Sequence, residues 1–345
     1  MIRVGVVGAN PERGWAARAH LPALRELPGV ELTAVATTRR ESAEEAARRY
    51  GARYAFADAH ELINHPEVDV VTVAVRLPHH RDLVTAAVKA GKHVYCEWPL
   101  VVHTADAVEL RDLADRRGVR HAVGLQARHN PAVRRLRDLL AEGHIGEVLS
   151  ATLSYAMPSP LGPAVPAGMT WLTDAAQGAN VMTISGGHAL DVVRHALGEF
   201  REVSAVLTTR TPHRTIRETG EPLQVTSPDQ VLISGVLENG VPVSAHIQWG
   251  GPESTGLRLE IHGRNGLLAL AADRSLNGGP LRLSTGEVFD DPPSTAVAAL
   301  YTAFAAAIEN GSPMNPDFDT AVGLHRLLDA VRAAARSGQR QELTG

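Results

Sequence analysis

The first third of the chain alternates short apolar runs with longer stretches in which apolar residues recur at helical spacing. Short apolar runs predict buried strands, and the longer stretches predict amphipathic helices. The predicted strands are residues 3–7, 31–36, 68–75, 93–96 and 120–123. The predicted helices between them are residues 15–27, 42–50, 81–90 and 104–117. Regular alternation of strands and helices indicates a parallel sheet that is covered by helices on both faces.

The pattern changes after residue 124. Helices are predicted at residues 130–142, 295–309 and 319–337. Between the first and second of these, strand-like runs follow one another at residues 147–155, 202–209, 230–237, 241–248, 257–262 and 267–271. Turns at residues 238–240 and 264–266 join neighbouring runs as hairpins. Hairpin-linked strands predict a large, mostly antiparallel open sheet. Residues 157–168, rich in proline and glycine, are predicted to form a loop.

Length and composition narrow the class of protein. A chain of 345 residues fits two domains, and 44% hydrophobic with 21% charged residues is typical of a globular protein in water. The net charge of −4 offers no electrostatic basis for binding nucleic acid or a membrane surface. The chain has no apolar run long enough to span a bilayer and no signal-peptide pattern at its start. We therefore expect a cytoplasmic protein without nucleic-acid or membrane partners.

Cysteine usage argues against two further kinds of site. Cys96 is the single cysteine, which excludes an intramolecular disulfide and a cysteine metal cluster. Carboxylates and histidines do not occur at metal-ligand spacing, so we expect no metal.

A glycine-rich turn follows the first predicted strand and reads Gly8-Ala9-Asn10-Pro11-Glu12-Arg13-Gly14-Trp15. Such a turn places backbone N–H groups at the start of a helix, where they bind a pyrophosphate. The spacing departs from G-x-G-x-x-G, because Asn10 replaces the second glycine and the last glycine comes one residue late. We expect Asn10 to tolerate left-handed backbone there. The turn predicts a dinucleotide-binding Rossmann domain over residues 1–123, with residues 124–345 forming a second, α+β domain.

The end of the second predicted strand indicates which dinucleotide is bound. NAD-binding enzymes usually place an acidic residue there for the ribose hydroxyls. This chain has Thr37, Thr38, Arg39 and Arg40 instead. Hydroxyls and guanidinium groups suit a 2′-phosphate, which favours NADP, with NAD still possible. The alternative is that both arginines are merely exposed at the start of a helix.

Several motifs together resemble the glucose-fructose oxidoreductase / inositol dehydrogenase / MocA family along essentially the whole chain. They are the opening loop, residues 90–100 and 123–131, Gly187-His188-Ala189-Leu190-Asp191, and residues 317–341. The resemblance implies a Rossmann domain followed by a domain with a large open sheet. It also implies hydride transfer between NAD(P) and a sugar or cyclitol carbon, and often an oligomer interface on that sheet.

The chain departs from the family pattern at two positions. The family motif Glu-Lys-Pro reads Glu97-Trp98-Pro99 here, and the aspartate expected four residues before the histidine is Ile184. Of the family's Lys/Asp/His set, only His188 remains. The chain has two lysines, both in residues 89–92, and we expect neither to replace the missing one.

A closer resemblance to the Gal80-like branch explains these departures. It rests on Gly14-Trp15-Ala16, Glu97-Trp98, residues 125–128, Gly187-His188 and residues 227–230. That branch implies a dinucleotide pocket that signals rather than catalyses. Three functions therefore stay open: a sugar or polyol oxidoreductase, a non-catalytic regulator, and an oxidoreductase for another substrate such as an imine or a lactone.

The catalytic candidates are His188, Asp191 and Trp98. Imidazole titrates near neutral pH, so His188 suits the proton transfer that accompanies hydride transfer, although it could equally bond a backbone carbonyl. Asp191 either orients that imidazole, or simply caps the helix or pairs with Arg194. Trp98 offers an apolar wall and one N–H donor beside the nicotinamide, and its bond to Pro99 can be cis.

The remaining candidates are expected to bind ligands. Arg76, His80, Glu97 and Arg128 are assigned to the cofactor along with the loop residues. Tyr155, Trp171 and Asp174 are assigned to a carbohydrate-like substrate. We expect a homo-oligomer, a dimer or tetramer, through the second-domain sheet, with alternating Val241, Val243, Ala245 and Ile247 filling its open face.

Overall fold

The structure is a computed structural model and describes residues 1–250, 253 and 255–343. The chain forms two compact units, the first of residues 1–130 and 292–323, the second of residues 131–291 and 324–345. The division into functional domains at residue 124 stays a prediction.

The helices are α1 (Leu21–Glu26), α2 (Arg40–Tyr50), α3 (Ala59–Ile63), α4 (His80–Lys89), α5 (Thr104–Arg117), α6 (Pro131–Ala141), α7 (Gly187–Leu197), α8 (Pro293–Asn310) and α9 (Phe318–Ser337).

A six-stranded parallel sheet forms the centre of the first unit, in the order β3-β2-β1-β4-β5-β6. Its strands are β1 (Ile2–Val7), β2 (Val30–Ala36), β3 (Tyr54–Phe56), β4 (Val70–Val73), β5 (His93–Glu97) and β6 (His121–Gly124). The predicted parallel Rossmann sheet is confirmed. Strand β3 and helix α3 were not predicted, because three and five residues are too short to show a hydrophobic period.

The first predicted helix is interrupted by a π-helical turn. Residues Ala16–His20 form this turn, in which the N–H of Leu21 donates to the carbonyl of Ala16. Pro22 follows after Leu21, and a proline lacks the N–H that an α-helix needs and crowds the preceding turn. The wider turn before Pro22 relieves that conflict. It also brings His20 fully inside the protein, at 0% exposure.

A nine-stranded sheet dominates the second unit, in the order β17-β16-β15-β14-β7-β13-β12-β9-β18. Its strands are β7 (Val148–Pro158), β9 (Phe200–Thr208), β12 (Gln230–Leu237), β13 (Pro242–Gly250), β14 (Gly256–Gly263), β15 (Gly266–Ala272), β16 (Leu281–Leu283), β17 (Val288–Phe289) and β18 (Gln341–Glu342). Only β7 and β13 pair in parallel among these described strands. The mostly antiparallel sheet and both predicted hairpins are confirmed.

Residues 157–168, which we predicted to form a loop, contribute a strand to a second, smaller sheet. It contains β8 (Ala164–Val165), β10 (His213–Ile216) and β11 (Pro222–Gln224), in the order β11-β10-β8. Strand β7 also continues to Pro158, and a 3₁₀ helix begins at Ala167. The loop prediction was therefore wrong at both ends, since pairing with distant strands overrides the local proline signal.

The large sheet buries one face and exposes the other. Val241, Val243, Ala245 and Ile247, expected on the open face, are all buried in the hydrophobic core, so that prediction was wrong. The exposed positions on the same strand are Pro242, Ser244 and His246. The alternation was read correctly, but assigned to the wrong face, because period-two patterning does not say which face is covered.

No helix within the described residues combines the length and the apolar composition that crossing a bilayer requires.

Candidate functional site

Gly8 brings two loops together at the carboxyl edge of the parallel sheet. Its φ is +92°, and a Cβ at this position would lie 2.4 Å from the carbonyl oxygen of Ala74. Only glycine allows the loop after β1 to approach the loop after β4 so closely. Gly14, with φ of +89°, then starts the helix that follows the loop, and the first N–H groups of a helix have no acceptor within it.

Asn10 stabilises the loop in a way that we did not predict. Among the described residues, every positive φ belongs to glycine, so the expectation of left-handed backbone at Asn10 was wrong. Its side-chain Oδ1 instead accepts from the backbone N–H groups of Glu12 and Arg13, at 3.0 and 3.1 Å. Those two amides are thereby satisfied within the loop, which leaves the helix start as the donor group for an anion.

Two buried polar atoms of the first unit fit a bound dinucleotide. The indole Nε1 of Trp15, at the helix start, is buried without a hydrogen-bond partner among the described residues. The same holds for the amide Oε1 of Gln126, which follows β6 at the same edge. A buried polar atom without a partner costs free energy, so each indicates a ligand group that pairs with it. The residues of this edge therefore fit the cofactor that the loop predicts.

A cavity of about 190 Å³ lies between the glycine loop and helix α2. Its lining residues are Asn10, Pro11, Glu12, Arg39, Glu41, Ser42 and Glu45. The residues predicted to bind a 2′-phosphate differ in their surroundings. Arg40 donates to Glu44 at 2.7 Å, which raises the pKa of Arg40, whereas Arg39 lines the cavity. The Thr37 hydroxyl donates to the Arg39 carbonyl at 2.8 Å, and Thr38 is exposed.

Glu97 takes part in a buried hydrogen-bonded chain at the end of β5. Its Oε1 is 2.9 Å from Nε2 of His20, and Nδ1 of His20 is 2.9 Å from the Tyr301 hydroxyl. That hydroxyl is in turn 2.8 Å from Oγ1 of Thr72. We refer to Glu97, His20, Tyr301 and Thr72 as the Glu97 chain. Sequence reasoning identified Glu97 but missed its partners, because Tyr301 lies 281 residues from His20 and no local pattern connects them.

The other residues predicted to bind the cofactor are His80, Arg128 and Arg76. The first two are buried and hydrogen-bond within the protein, and the third is exposed. His80 is buried at 2% exposure, and its Nδ1 and Nε2 lie 3.0 and 3.1 Å from the carbonyl oxygens of Pro99 and Val75. Burial lowers the pKa of His80. Both nitrogens face backbone carbonyl oxygens, and the neutral ring donates through one of them, so His80 braces this region rather than pointing to a ligand. Arg128 donates to Asn315 Oδ1 at 2.8 Å, while Arg76 is exposed after β4.

Trp98 is the first residue after strand β5, which ends at Glu97. It is 6% exposed, and the peptide bond to Pro99 is cis, the isomer that the sequence allowed. Lys92 lies elsewhere, with its Nζ donating to the carbonyls of His65 and Val68, and Lys89 is exposed at the end of α4. Neither lysine therefore takes the place of the lysine of the family motif Glu-Lys-Pro, whose position Trp98 occupies.

In the second unit, His188 lies in the first turn of α7, directly after a π-helical turn at Met182–Gly186. His188 and Ile184 are four residues apart and both half-buried. Of the two roles left open for Asp191, the structure shows the pairing with Arg194, at 3.6 Å, with both side chains buried. Arg194 also donates to Glu199, so Asp191 belongs to an ion-pair group within the unit.

The three predicted substrate residues have different surroundings. Tyr155 is buried, which raises the pKa of its hydroxyl, and Leu276 and Ser275 hydrogen-bond with it. Asp174 caps a short 3₁₀ helix by accepting from the N–H of Ala176 at 2.9 Å. Trp171 is half-buried. Sugar binding by these three stays a prediction.

Sequence reasoning also missed a polar contact beside the turn that precedes His188. The indole N–H of Trp249 donates to Ser185 Oγ at 2.9 Å, and that hydroxyl lies 3.9 Å from the sulfur of Met157. Because Trp249 and Met157 are opposite each other in β13 and β7, the contact fixes the turn to the end of the sheet.

Comparison with known families assigns both parts of the chain. Residues 2–125 match the oxidoreductase family with the NAD-binding Rossmann fold, and residues 131–272 match the carboxyl-terminal domain of Gal80p. The inositol 2-dehydrogenase of Acidothermus cellulolyticus is 30% identical over 80% of this chain and 74% of its own length. The chain belongs to the glucose-fructose oxidoreductase / inositol dehydrogenase / MocA family, and its second part is of the Gal80 type.

Two further relatives differ in kind, one being a dehydrogenase and the other a regulatory protein. The dehydrogenase aclE of Aspergillus oryzae is 29% identical over 98% of this chain and 97% of its own length. The galactose/lactose metabolism regulatory protein GAL80 of Kluyveromyces lactis is 27% identical over 79% of this chain and 64% of its own length.

Solved structures share the fold. A super-repressor mutant of Gal80p from Saccharomyces cerevisiae superimposes with a TM-score of 0.87 at 24% identity, covering 99% of this chain and 97% of that one. A levoglucosan dehydrogenase in complex with NADH and levoglucosan superimposes with a TM-score of 0.86 at 23% identity, over 100% of both chains.

Proposed function

We propose that this protein is an NAD(P)-dependent oxidoreductase that transfers a hydride to or from a carbohydrate-like alcohol or carbonyl. The observation that carries the proposal is the carboxyl edge of the parallel sheet, where Gly8 permits close approach and Trp15 and Gln126 present buried unpartnered polar atoms. Dehydrogenase relatives such as inositol 2-dehydrogenase support the reaction class. A bound nicotinamide supplies the hydride acceptor or donor.

The chain's own residues must move the proton of the substrate hydroxyl. Trp98 cannot titrate, so it cannot carry this proton. We assign the proton transfer to His188, the one member of the family's Lys/Asp/His set that this chain keeps. A panel of sugars and polyols with NADP or NAD, followed at 340 nm, tests the proposal. Turnover of one compound supports it, and cofactor binding without turnover across the panel contradicts it.

The preferred cofactor in this proposal is NADP. Arg39 lines the cavity beside the glycine loop, and no acidic residue occupies positions 37–40. Calorimetric titration with both cofactors tests the preference. Arg39→Asp should weaken NADP binding more than NAD binding, because a like charge replaces a phosphate partner. Arg40→Ala is the matched control, since Arg40 pairs with Glu44. Equal or tighter binding of NAD by the unmodified protein contradicts the preference.

A specific observation favours a second function, a dinucleotide-binding regulator. Residues 131–272 match the Gal80p carboxyl-terminal domain, and Trp98 and Ile184 replace two residues of the family's catalytic set. Under this alternative, the protein binds the cofactor and a protein partner without turnover. Affinity capture on the protein with and without NADP, together with the substrate panel, separates the two functions.

We also propose a homo-oligomer through the exposed face of the large sheet. Val206 and Leu232 pair directly across β9 and β12 and are 54% and 43% exposed. Adjacent exposed apolar side chains of this size favour burial against a second copy.

A further inference from the structure

The Glu97 chain consists of buried groups that satisfy one another. His20 and Thr72 are 0% exposed, Tyr301 is 2% and Glu97 is 9% exposed. One assignment of hydrogens pairs every contact: Thr72 donates to Tyr301, Tyr301 donates to Nδ1 of His20, and Nε2–H of His20 donates to Glu97 Oε1. A buried carboxylate is stable only when such donors compensate its lost hydration. His20 is therefore the hydrogen-bond donor to Glu97 Oε1 in this chain, and the Tyr95 hydroxyl also lies near the carboxylate.

Packing allows the His20 ring little freedom. The ring makes edge contacts with Tyr95 and Tyr301, at centroid distances of 5.1 and 5.7 Å. On the other side, the Glu97 carboxylate lies over Gly124, its direct partner in the neighbouring strand. A Cβ at Gly124 would come within 2.5 to 2.6 Å of the carboxyl atoms. The carboxylate thus lies between a fixed donor and a backbone position that has no side chain.

The Glu97 chain also connects two parts of the dinucleotide edge. His20 belongs to the helix that begins at Gly14, where the helix start is the anion-binding end. Glu97 ends β5, and its side chain keeps 11% exposure at that edge. A carboxylate there is an acceptor for hydroxyl and amide donors. Those donors are abundant in the nicotinamide nucleoside half of a dinucleotide.

We propose that His20 is a positioning residue that holds the Glu97 carboxylate ready to accept from the hydroxyl and amide groups of the nicotinamide nucleoside. The proposal rests on the dinucleotide binding described above, but not on turnover. It applies equally to an oxidoreductase and to a regulator. Tyr301 orients the imidazole of His20 by a direct hydrogen bond, and Thr72 orients the Tyr301 hydroxyl.

Binding measurements test the proposal with four variants. They are His20→Leu, His20→Gln, Glu97→Gln and the double variant H20L/E97Q. The intrinsic fluorescence of NADPH and NADH gives their dissociation constants, and competition against NADPH gives that of adenosine 2′,5′-bisphosphate, which lacks the nicotinamide half. His20→Leu should weaken NADPH about tenfold, the equivalent of one hydrogen bond to a charged group. His20→Gln keeps a donor and should restore most of the affinity.

Two results distinguish positioning from a structural role. If His20 acts through Glu97, the double variant should bind NADPH no more weakly than Glu97→Gln alone, because coupled residues are not additive. Adenosine 2′,5′-bisphosphate should bind all four variants like the unmodified protein. His325→Leu, at another buried histidine, is the control that changes stability without changing NADPH affinity. Circular dichroism confirms that each variant is folded.

Three outcomes overturn the proposal. A folded His20→Leu variant that binds NADPH like the unmodified protein shows that His20 does not act on the cofactor. If the double variant loses NADPH affinity by the product of the two single losses, His20 does not act through Glu97. An unmodified protein that binds neither NADPH nor NADH overturns dinucleotide binding itself, and the positioning role with it.

Discussion

Replacing Gly8 by alanine should destabilise the first unit far more than an ordinary glycine-to-alanine change. The residue has a φ of +92°, which costs an L-amino acid about 1–2 kcal/mol. The new Cβ would also lie 2.4 Å from the Ala74 carbonyl oxygen and 2.9 Å from a methyl group of Val75. Relieving such overpacking typically costs about 1–3 kcal/mol more. We therefore expect a loss of roughly 2–5 kcal/mol in the free energy of unfolding.

Gly14 offers a matched control within the same loop. Its φ is +89°, close to that of Gly8, but a Cβ there meets nothing within 4 Å. Gly14→Ala should thus lose only the backbone contribution of about 1–2 kcal/mol. Urea unfolding followed by circular dichroism compares the two variants. If Gly8→Ala were as stable as Gly14→Ala, the close approach of the two loops would not be a constraint, and our account of this edge would be wrong.

Three further predictions concern the proton donor, the sheet face and a buried histidine. His188→Ala should lower turnover by about 10²–10⁴-fold and leave NADP affinity nearly intact, whereas unchanged turnover would show that the histidine is structural. Leu232→Glu should shift the protein toward monomer in light scattering, and a monomeric parent at micromolar concentration would refute the sheet interface. Burial lowers the pKa of His325 to about 4 from 6.5. Its neutral form is the native one, so the contribution of His325 to stability should be fully present above pH 6.5 and should be lost as the pH drops from 6.5 toward 4. His325→Leu should reduce the slope of this part of the stability profile without abolishing it, because burial also lowers the pKa of His80, as thermal melts between these pH values will show.

Local patterns were sufficient where a feature depends on neighbouring residues. The hairpin at residues 238–240 followed from Asn239-Gly240, and Gly240 has the φ of +86° that such a turn requires. The parallel sheet followed from apolar runs separated by helical periods. The replacement of a family lysine by Trp98 is visible in the sequence alone, because motif position depends on chain order.

Other features depended on groups that meet only after folding. Asn10 looked like a substitute for a flexible glycine, yet its side chain caps the loop, since an amide oxygen can accept from two N–H groups at once. The residues on β13 alternated as predicted, but which face is covered depends on what packs against the sheet.

The sequence by itself determined the two architectures, the dinucleotide loop and the position of His188, because each rests on periodicity, turn chemistry or motif order over a few consecutive residues. Tertiary structure alone decided what holds Glu97 in place. His20, Thr72 and Tyr301 come from a helix, a strand and the returning helix α8, and their hydrogen bonds span 77, 229 and 281 residues of sequence. Hydrogen bonds of this kind leave no periodic trace, because they form only where the fold excludes water and makes buried polar groups pair with one another.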